Sequence, residues 1–141
     1  LATYRPFGSP IESPAGIQGK ATQFVMILDA LQLRLLEKIR SDLAGYSVVR
    51  STSPLDNRAI WLEIFAGGIH KGNSCQTLLK KLNINCKEVA GLGNDYNDID
   101  FLDICAEAYL VANAPVNLQR HYKLVKSDKE EGFTEFISKV L

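Results

Sequence analysis

Gly91-Leu92-Gly93-Asn94-Asp95-Tyr96-Asn97-Asp98-Ile99-Asp100-Phe101-Leu102 is the stretch whose reading decides the fold. An apolar-leaning run over 87–92 predicts a short buried strand before it. After it, Ile99, Leu102 and Ala106 recur at helical spacing. The polar cluster therefore sits on a strand-to-helix turn, which in an open parallel sheet lies at the carboxyl end of a strand, where ligands of such folds bind. Asn94, Asp95, Asn97 and Asp98 bring carboxylates and carboxamides together there, and glycine at 91 and 93 lets the backbone turn sharply. Oxygen-only donors on a turn suit a hard cation such as Mg2+, which takes one or two carboxylates, several waters and a substrate phosphate. The same residue types are also the ordinary residues of turns and helix N-caps, so a plain capped loop is an equal reading of the stretch alone. Two rival motifs fail. A dinucleotide fingerprint needs glycine where Tyr96 stands, and a calcium loop starting at Asp95 needs a polar ligand where Ile99 stands, with glycine following.

With 141 residues and 46% hydrophobic content, the chain fits one ordinary domain or a core with a small appendage, and it can bury an interior. Lys plus Arg equals Asp plus Glu, so net charge is zero and no broad footprint for nucleic acid or anionic lipid exists. No apolar run approaches the roughly 20 residues of a membrane helix. The cysteines, Cys75, Cys86 and Cys105, are odd in number and lack CxxC spacing. We expect reduced thiols in a soluble, cytoplasmic protein, each a small buried hydrophobe. The chain opens on Leu1, and glycine and proline interrupt its first twenty residues without a clear period; this leads us to expect a cut or incomplete beginning.

In chain order, the run over 22–28 favours a strand. Asp29 then opens a segment in which Leu31, Leu35, Leu36, Ile39 and Leu43 mark one helical face, stopped by Gly45. Residues 46–52 and 59–65 are strands joined by the turn chemistry of Ser53-Pro54-Leu55-Asp56-Asn57. Past Gly67-Gly68 the character changes. A helix over 72–82 carries Cys75, Leu78, Leu79 and Leu82 on one side, and the strand over 87–92 and a helix over 98–106 follow. Then come a strand over 107–112, a short helix over 116–122, a strand over 123–125 and a closing stripe of Phe133, Phe136, Ile137, Val140 and Leu141. Such alternation predicts an α/β fold, a parallel sheet with helices on its faces. We expect an α+β segment over 1–66 and an α/β segment over 67–141.

Glu63-Ile64-Phe65, Ile69-His70-Lys71-Gly72, Gly93-Asn94-Asp95-Tyr96-Asn97-Asp98, Val111-Ala112-Asn113-Ala114-Pro115 and Glu131-Gly132, in this order and spacing, resemble the haloacid dehalogenase-like superfamily and its Cof-type phosphatases. The likeness runs from about residue 22 to the end. It implies a Rossmann-like core, of which 67–141 is the carboxyl half, and a cap, of which 1–66 is a segment. It implies Mg2+-dependent hydrolysis of a small phosphate ester, plausibly a sugar phosphate, in which an aspartate attacks phosphorus. Lys71 then neutralises phosphate and nucleophile charge, Asn97 hydrogen-bonds a phosphate oxygen, and the acidic turn holds the metal. Phosphoryl transfer rests on positioning and on offsetting oxygen charge, which is the work of these residue types.

The chain departs from the pattern twice. The family's first aspartate of the turn falls at Asn94, so the metal is expected on Asp95 with Asp98 in support, or on Asn94 with weaker grip; Asp98 alternatively orients a water. Moreover, no strand precedes an Asp-x-Asp-x-Thr motif, and Asp98-Ile99-Asp100 runs into a helix. The attacking aspartate is therefore expected outside this chain, on an amino-terminal part of the same polypeptide, and the chain alone should be inert or nearly so. The rival reading is a scaffold that binds metal or phosphate without hydrolysis. Asn113 either closes the site or caps the helix after Pro115. His70 and His121 read as surface or packing residues, and Trp61 and Phe65 as core. Arg50 and Arg58 flank the hairpin turn, either as plain surface charges or in reach of a leaving group.

Overall fold

The structure, a computed structural model, describes residues 8–11, 13–17, 19–29, 31–53 and 59–141. The hairpin turn at 54–57, Arg58 and part of the irregular amino end lie outside the described residues.

The β-branched and apolar runs near the amino end form an antiparallel sheet of β1 (Gln23–Asp29), β2 (Tyr46–Thr52) and β3 (Ala59–Ala66), with β3 in the centre. Helix α1 (Leu33–Asp42) joins the outer strands. Opposite residues in register include Val25, Glu63 and Val49, and because side chains alternate, Trp61, Glu63 and Phe65 share one face with Val49 and Ser51. The other face is the interior of this layer, where Leu28, Ile60 and Leu62 pack under Leu36, flanked by Ile39 and Val48.

Helix α1 begins later than the apolar stripe suggests. Asp29 is the last residue of β1, and its carboxylate accepts the Leu31 N–H at 2.8 Å while the Gln32 side chain accepts the Asp29 N–H at 3.0 Å. This local turn competes with helix, as Asp readily does. Leu31 is left 92% exposed, and of the expected stripe only Leu36 is buried.

The second layer is a parallel sheet of β4 (Ala90–Gly93), β5 (Glu107–Val111) and β6 (Lys123–Val125), in that spatial order. Around it stand α2 (Lys71–Leu82), α3 (Ile99–Leu102), α4 (Val116–Gln119) and α5 (Gly132–Val140). This is the α/β arrangement that the alternation predicts. Its core joins Leu102, Tyr109, Leu110, Val111, Leu118, Val125 and Phe136, with the Tyr109 and Phe136 rings edge to face at 5.4 Å. The expected strand over 87–92 is shorter at its start, because Cys86–Glu88 forms a single 3-10 turn. Asn85 caps it by accepting the Lys87 N–H, and Glu88 answers by accepting the Asn85 N–H. Helix α3 stops at Leu102 because the chain at once turns back to the sheet, the Ala106 N–H donating to the Val89 carbonyl at 2.9 Å.

Helix α2 also differs from expectation. Leu78 and Leu82 are exposed, and Cys75 and Leu79 are only half-buried. Its tight contact is at Gly72, where a Cβ would stand 2.6 Å from the Asp100 carbonyl oxygen. Backbone packed on backbone, rather than a leucine stripe, thus sets the start of α2 against α3. Of the thiols expected inside, Cys75 and Cys105 are half-buried and Cys86 is exposed. Among the described residues no helix is long and apolar enough to cross a membrane.

Candidate functional site

Strand β4 ends at Gly93, where a Cβ would lie 2.8 Å from both the Asp98 Cβ and the Leu102 Cδ1. Only glycine lets the turn fold back so closely. Residues Tyr96–Asp98 then make one 3-10 turn capped by Asp95, whose backbone is extended and whose carboxylate accepts the Tyr96 N–H at 2.8 Å. Asp98, 3% exposed, turns inward, and its Oδ2 accepts the N–H groups of Asn94 at 2.7 Å and Asp95 at 3.2 Å. The turn is thus a capped loop whose two carboxylates fold back onto its own backbone.

The Oδ1 of Asp98 accepts a hydrogen bond from the Lys71 ammonium. Residues 27 apart in sequence are joined here because α2 begins at Lys71 and Gly72 presses that helix end onto Asp100, two residues past Asp98. Lys71 is half-exposed at its side chain while Asp98 is buried, so the cation faces the cleft and the anion anchors it. His70 precedes it at the N-cap, with Nδ1 3.0 Å from Asp100 Oδ2, close enough for an ion pair if protonated but outside hydrogen-bond geometry.

These groups open on a cleft of about 800 Å3 between the two sheets. From the parallel side come Lys71, Asn94, Asp95, Asn97, Asn113, Asp128 and Lys129; from the antiparallel side, Arg50, Ser51, Thr52, Trp61 and Glu63. A second cavity of about 410 Å3 adjoins it, sharing Glu63, Lys71 and Asn97 and walled by Val49, Phe65, Ile69 and Phe101. Asn97 is half-buried and Asn94 exposed, and among the described residues neither carboxamide is tied up in a hydrogen bond. Asn113 reaches across to Asp128, donating to its Oδ1 at 2.7 Å and accepting its N–H at 3.3 Å, and the N-cap position of α4 belongs to Pro115. His121 is exposed.

The cleft also holds residues that the sequence reading set elsewhere. Trp61 and Phe65 are half-buried cleft walls rather than core, because their face of β3 is the one α1 does not cover. The alternation Trp61, Glu63, Phe65 was the available signal, since a carboxylate between two aromatics on one face marks a face that meets water. Thr52 donates to Asp95 and Arg50 stacks on Tyr96, contacts across 43 and 46 residues that no local pattern announces.

The donor chemistry accommodates a hard cation in part. Asn94, Asp95 and Asp98 offer oxygen only, but Asp98 already takes Lys71 and two N–H groups, and Asp95 takes Thr52 and Tyr96. Among the described residues no group of three or more His, Cys, Asp or Glu side chains is placed to hold a metal ion. An ion here would draw much of its shell from water and phosphate, as Mg2+ commonly does.

Comparison with known proteins gives the frame. A family model described as haloacid dehalogenase-like hydrolase matches residues 11–137. A Streptococcus pyogenes serotype M6 protein whose name marks it as a phosphatase is 27% identical over 67% of this chain and 33% of its own length. A solved Streptococcus mutans structure is 23% identical with a TM-score of 0.76, covering 92% of this chain and 48% of that one. A solved subclass IIB sugar phosphatase is 14% identical with a TM-score of 0.67, covering 83% and 42%. The chain thus spans a third of the curated relative and less than half of these solved chains. With the model matching nearly its whole length, and with the Lys71 and Gly93 to Asp98 groups set at one sheet edge, the chain belongs to the haloacid dehalogenase-like hydrolases.

Proposed function

We propose that this chain is part of a Mg2+-dependent phosphomonoester hydrolase acting on a small phosphorylated metabolite, a sugar phosphate being the favoured class. The observation that carries the reading is the meeting of the Lys71 ammonium with the buried Asp98 carboxylate on the turn that also displays Asn94, Asp95 and Asn97 to the cleft. Family membership and the phosphatase-named relatives support it. In this reading residues 67–141 are core and 1–66 belong to the cap, and the attacking aspartate comes from sequence outside this chain.

Asn94 and Asp95 would hold the ion, and Asp98 would act through Lys71 and the turn backbone. When bound, Mg2+ would offset charge on the phosphoryl oxygens. The chain's own residues do the rest. Lys71 places a cation beside the phosphoryl group and the incoming carboxylate, where a fixed charge in a sheltered cleft acts more strongly than in water. Asn97 donates its carboxamide N–H to a phosphate oxygen. Asn113, held by Asp128, borders the phosphate end of the cleft. Arg50, Ser51, Trp61 and Glu63 enclose the leaving group and reduce its contact with water. A stacking ring beside hydrogen-bonding side chains suits a polyol.

Hydrolysis of an aryl phosphate, with and without Mg2+, tests this on three proteins: this chain, the full-length polypeptide containing it and full-length Lys71→Met. Activity is expected only in the full-length protein with Mg2+, and Lys71→Met should lower it by roughly 100-fold or more, the scale for removing one charge-stabilising donor. Equal rates for the variant would remove Lys71 from the site. A full-length protein that binds Mg2+ and phosphate without turnover would favour the scaffold reading, to which Asn94 in place of an aspartate already points.

A further inference from the structure

Strand β2 touches the acidic turn with alternate residues of one face, Arg50 and Thr52, meeting consecutive residues Tyr96 and Asp95. Thr52 donates twice to one carboxylate, its N–H to Asp95 Oδ2 at 2.5 Å and its Oγ1 to Asp95 Oδ1 at 2.8 Å. The backbone donor is free to do so because β2 is an edge strand. The next N–H, of Ser53, points back to the Ala59 carbonyl of β3, so that of Thr52 points out of the sheet. Beside it, the Arg50 guanidinium lies 3.7 Å from the centroid of the Tyr96 ring, and the Tyr96 hydroxyl donates to Asn117 Oδ1 at 2.7 Å, which pins the ring from the α4 side. Asp95 is 8% exposed, and a carboxylate so enclosed needs donors.

We propose that Thr52 is a positioning residue that docks the antiparallel unit onto the acidic turn, so that closing the cleft and fixing the direction of the Asp95 carboxylate are a single event. With Thr52 in place, Asp95 Oδ1 takes the Thr52 hydroxyl and the Tyr96 N–H, Oδ2 takes the Thr52 N–H, and the capping box adds the backbone of Asp98. With the antiparallel unit lifted away, the carboxylate loses both Thr52 donors and is held only by its own turn. The face of β3 that walls the cleft travels with β2, so a leaving group seated against Trp61 and Glu63 draws the latch shut. The docking step stands on geometry alone; its consequence for an ion at Asp95 rests on the function proposed above.

Hydrogen exchange on the full-length protein separates the two. In Asp95→Ala the Thr52 amide should exchange about tenfold faster or more, with β4 to β6 amides unchanged, because a local opening no longer breaks those bonds. Thr52→Val, which keeps the branched shape and removes only the hydroxyl, should accelerate exchange over residues 46–53 by a smaller factor, and Thr52→Ser should restore it. Unchanged exchange at Thr52 in Asp95→Ala overturns the proposal. If Asp95→Ala loosens the whole molecule, Thr52→Val decides: a selective effect upholds the latch and no effect overturns it. Calorimetric titration should then show weaker Mg2+ binding in Thr52→Val than in wild type, and equal affinities would overturn the coupling. A wild-type protein that hydrolyses no phosphate ester would refute the proposed function while leaving the exchange result standing.

Discussion

Asp98 shows how much one buried carboxylate can organise. Its oxygens accept the Lys71 ammonium and two turn N–H groups, so it neutralises a cation and closes the turn at once. In Asp98→Asn one oxygen becomes an NH2 group, which must face either the ammonium or two N–H donors. Leaving such buried groups unpaired costs about 1–3 kcal/mol, and urea unfolding of the variant should show a loss of that size with Lys71 released from the turn. Asn94 invites the opposite experiment. It is exposed to the cleft and uncharged, so Asn94→Asp adds a carboxylate to the turn, and on the proposed function calorimetry should record tighter Mg2+ binding. These residues were legible because they sit in one short motif. The donors to Asp95 were not, since Thr52 is an unremarkable strand residue until the fold brings β2 to the turn.

At the scale of elements, contact between α2 and α3 depends on an absent side chain. In Gly72→Ala the new Cβ meets the Asp100 carbonyl oxygen at 2.6 Å and its carbon at 2.9 Å, and neither is a flexible side-chain end. Alanine improves helix propensity by up to about 1 kcal/mol, yet overpacking against backbone costs about 1–3 kcal/mol. The net outcome in chemical denaturation should be a loss of stability, accompanied by displacement of Lys71. The start of the central parallel strand carries a second test. Glu107 accepts from Lys123 Nζ at 2.7 Å and from the Tyr109 hydroxyl at 2.8 Å, and these bonds hold its carboxyl below the usual glutamate range. A carboxyl lowered on folding stabilises the native state above its unfolded pKa and loses that contribution as pH falls through the folded value. Lys123→Met should therefore move the Glu107 midpoint up toward the ordinary glutamate value in an NMR titration. The element types were readable from apolar periods, but their lengths were not. The Asp29 and Gln32 turn delays α1, the Asn85 cap delays β4, and the return of the chain at Ala106 cuts α3 short.

For the whole molecule, the consequence of setting the edge of an antiparallel sheet against the turn that ends a parallel strand is a cleft with a charged end and an aromatic wall. Lys71 and the acidic turn occupy the charged end, while Glu63 looks in from the centre of the antiparallel sheet, one oxygen held by the Ser51 hydroxyl at 2.9 Å. Its second oxygen accepts from no described side chain or backbone group, so on the proposed function it is available to a hydroxyl of the leaving group. Binding energy from such remote contacts can be spent on the reacting centre, so its loss should depend on whether a substrate reaches it. In the full-length protein, Glu63→Gln keeps the shape but removes the charge, and a hydrogen bond to a charged group contributes about 1.5–3 kcal/mol. On the proposed function, kcat/KM for a sugar phosphate should fall by roughly tenfold to a hundredfold, while an aryl phosphate, which has no hydroxyl to offer, changes by less than about twofold. Equal losses for both substrates would place Glu63 in the support of Lys71 rather than in recognition, because the two residues wall the same second cavity. The comparison therefore reads out which of its neighbours Glu63 serves.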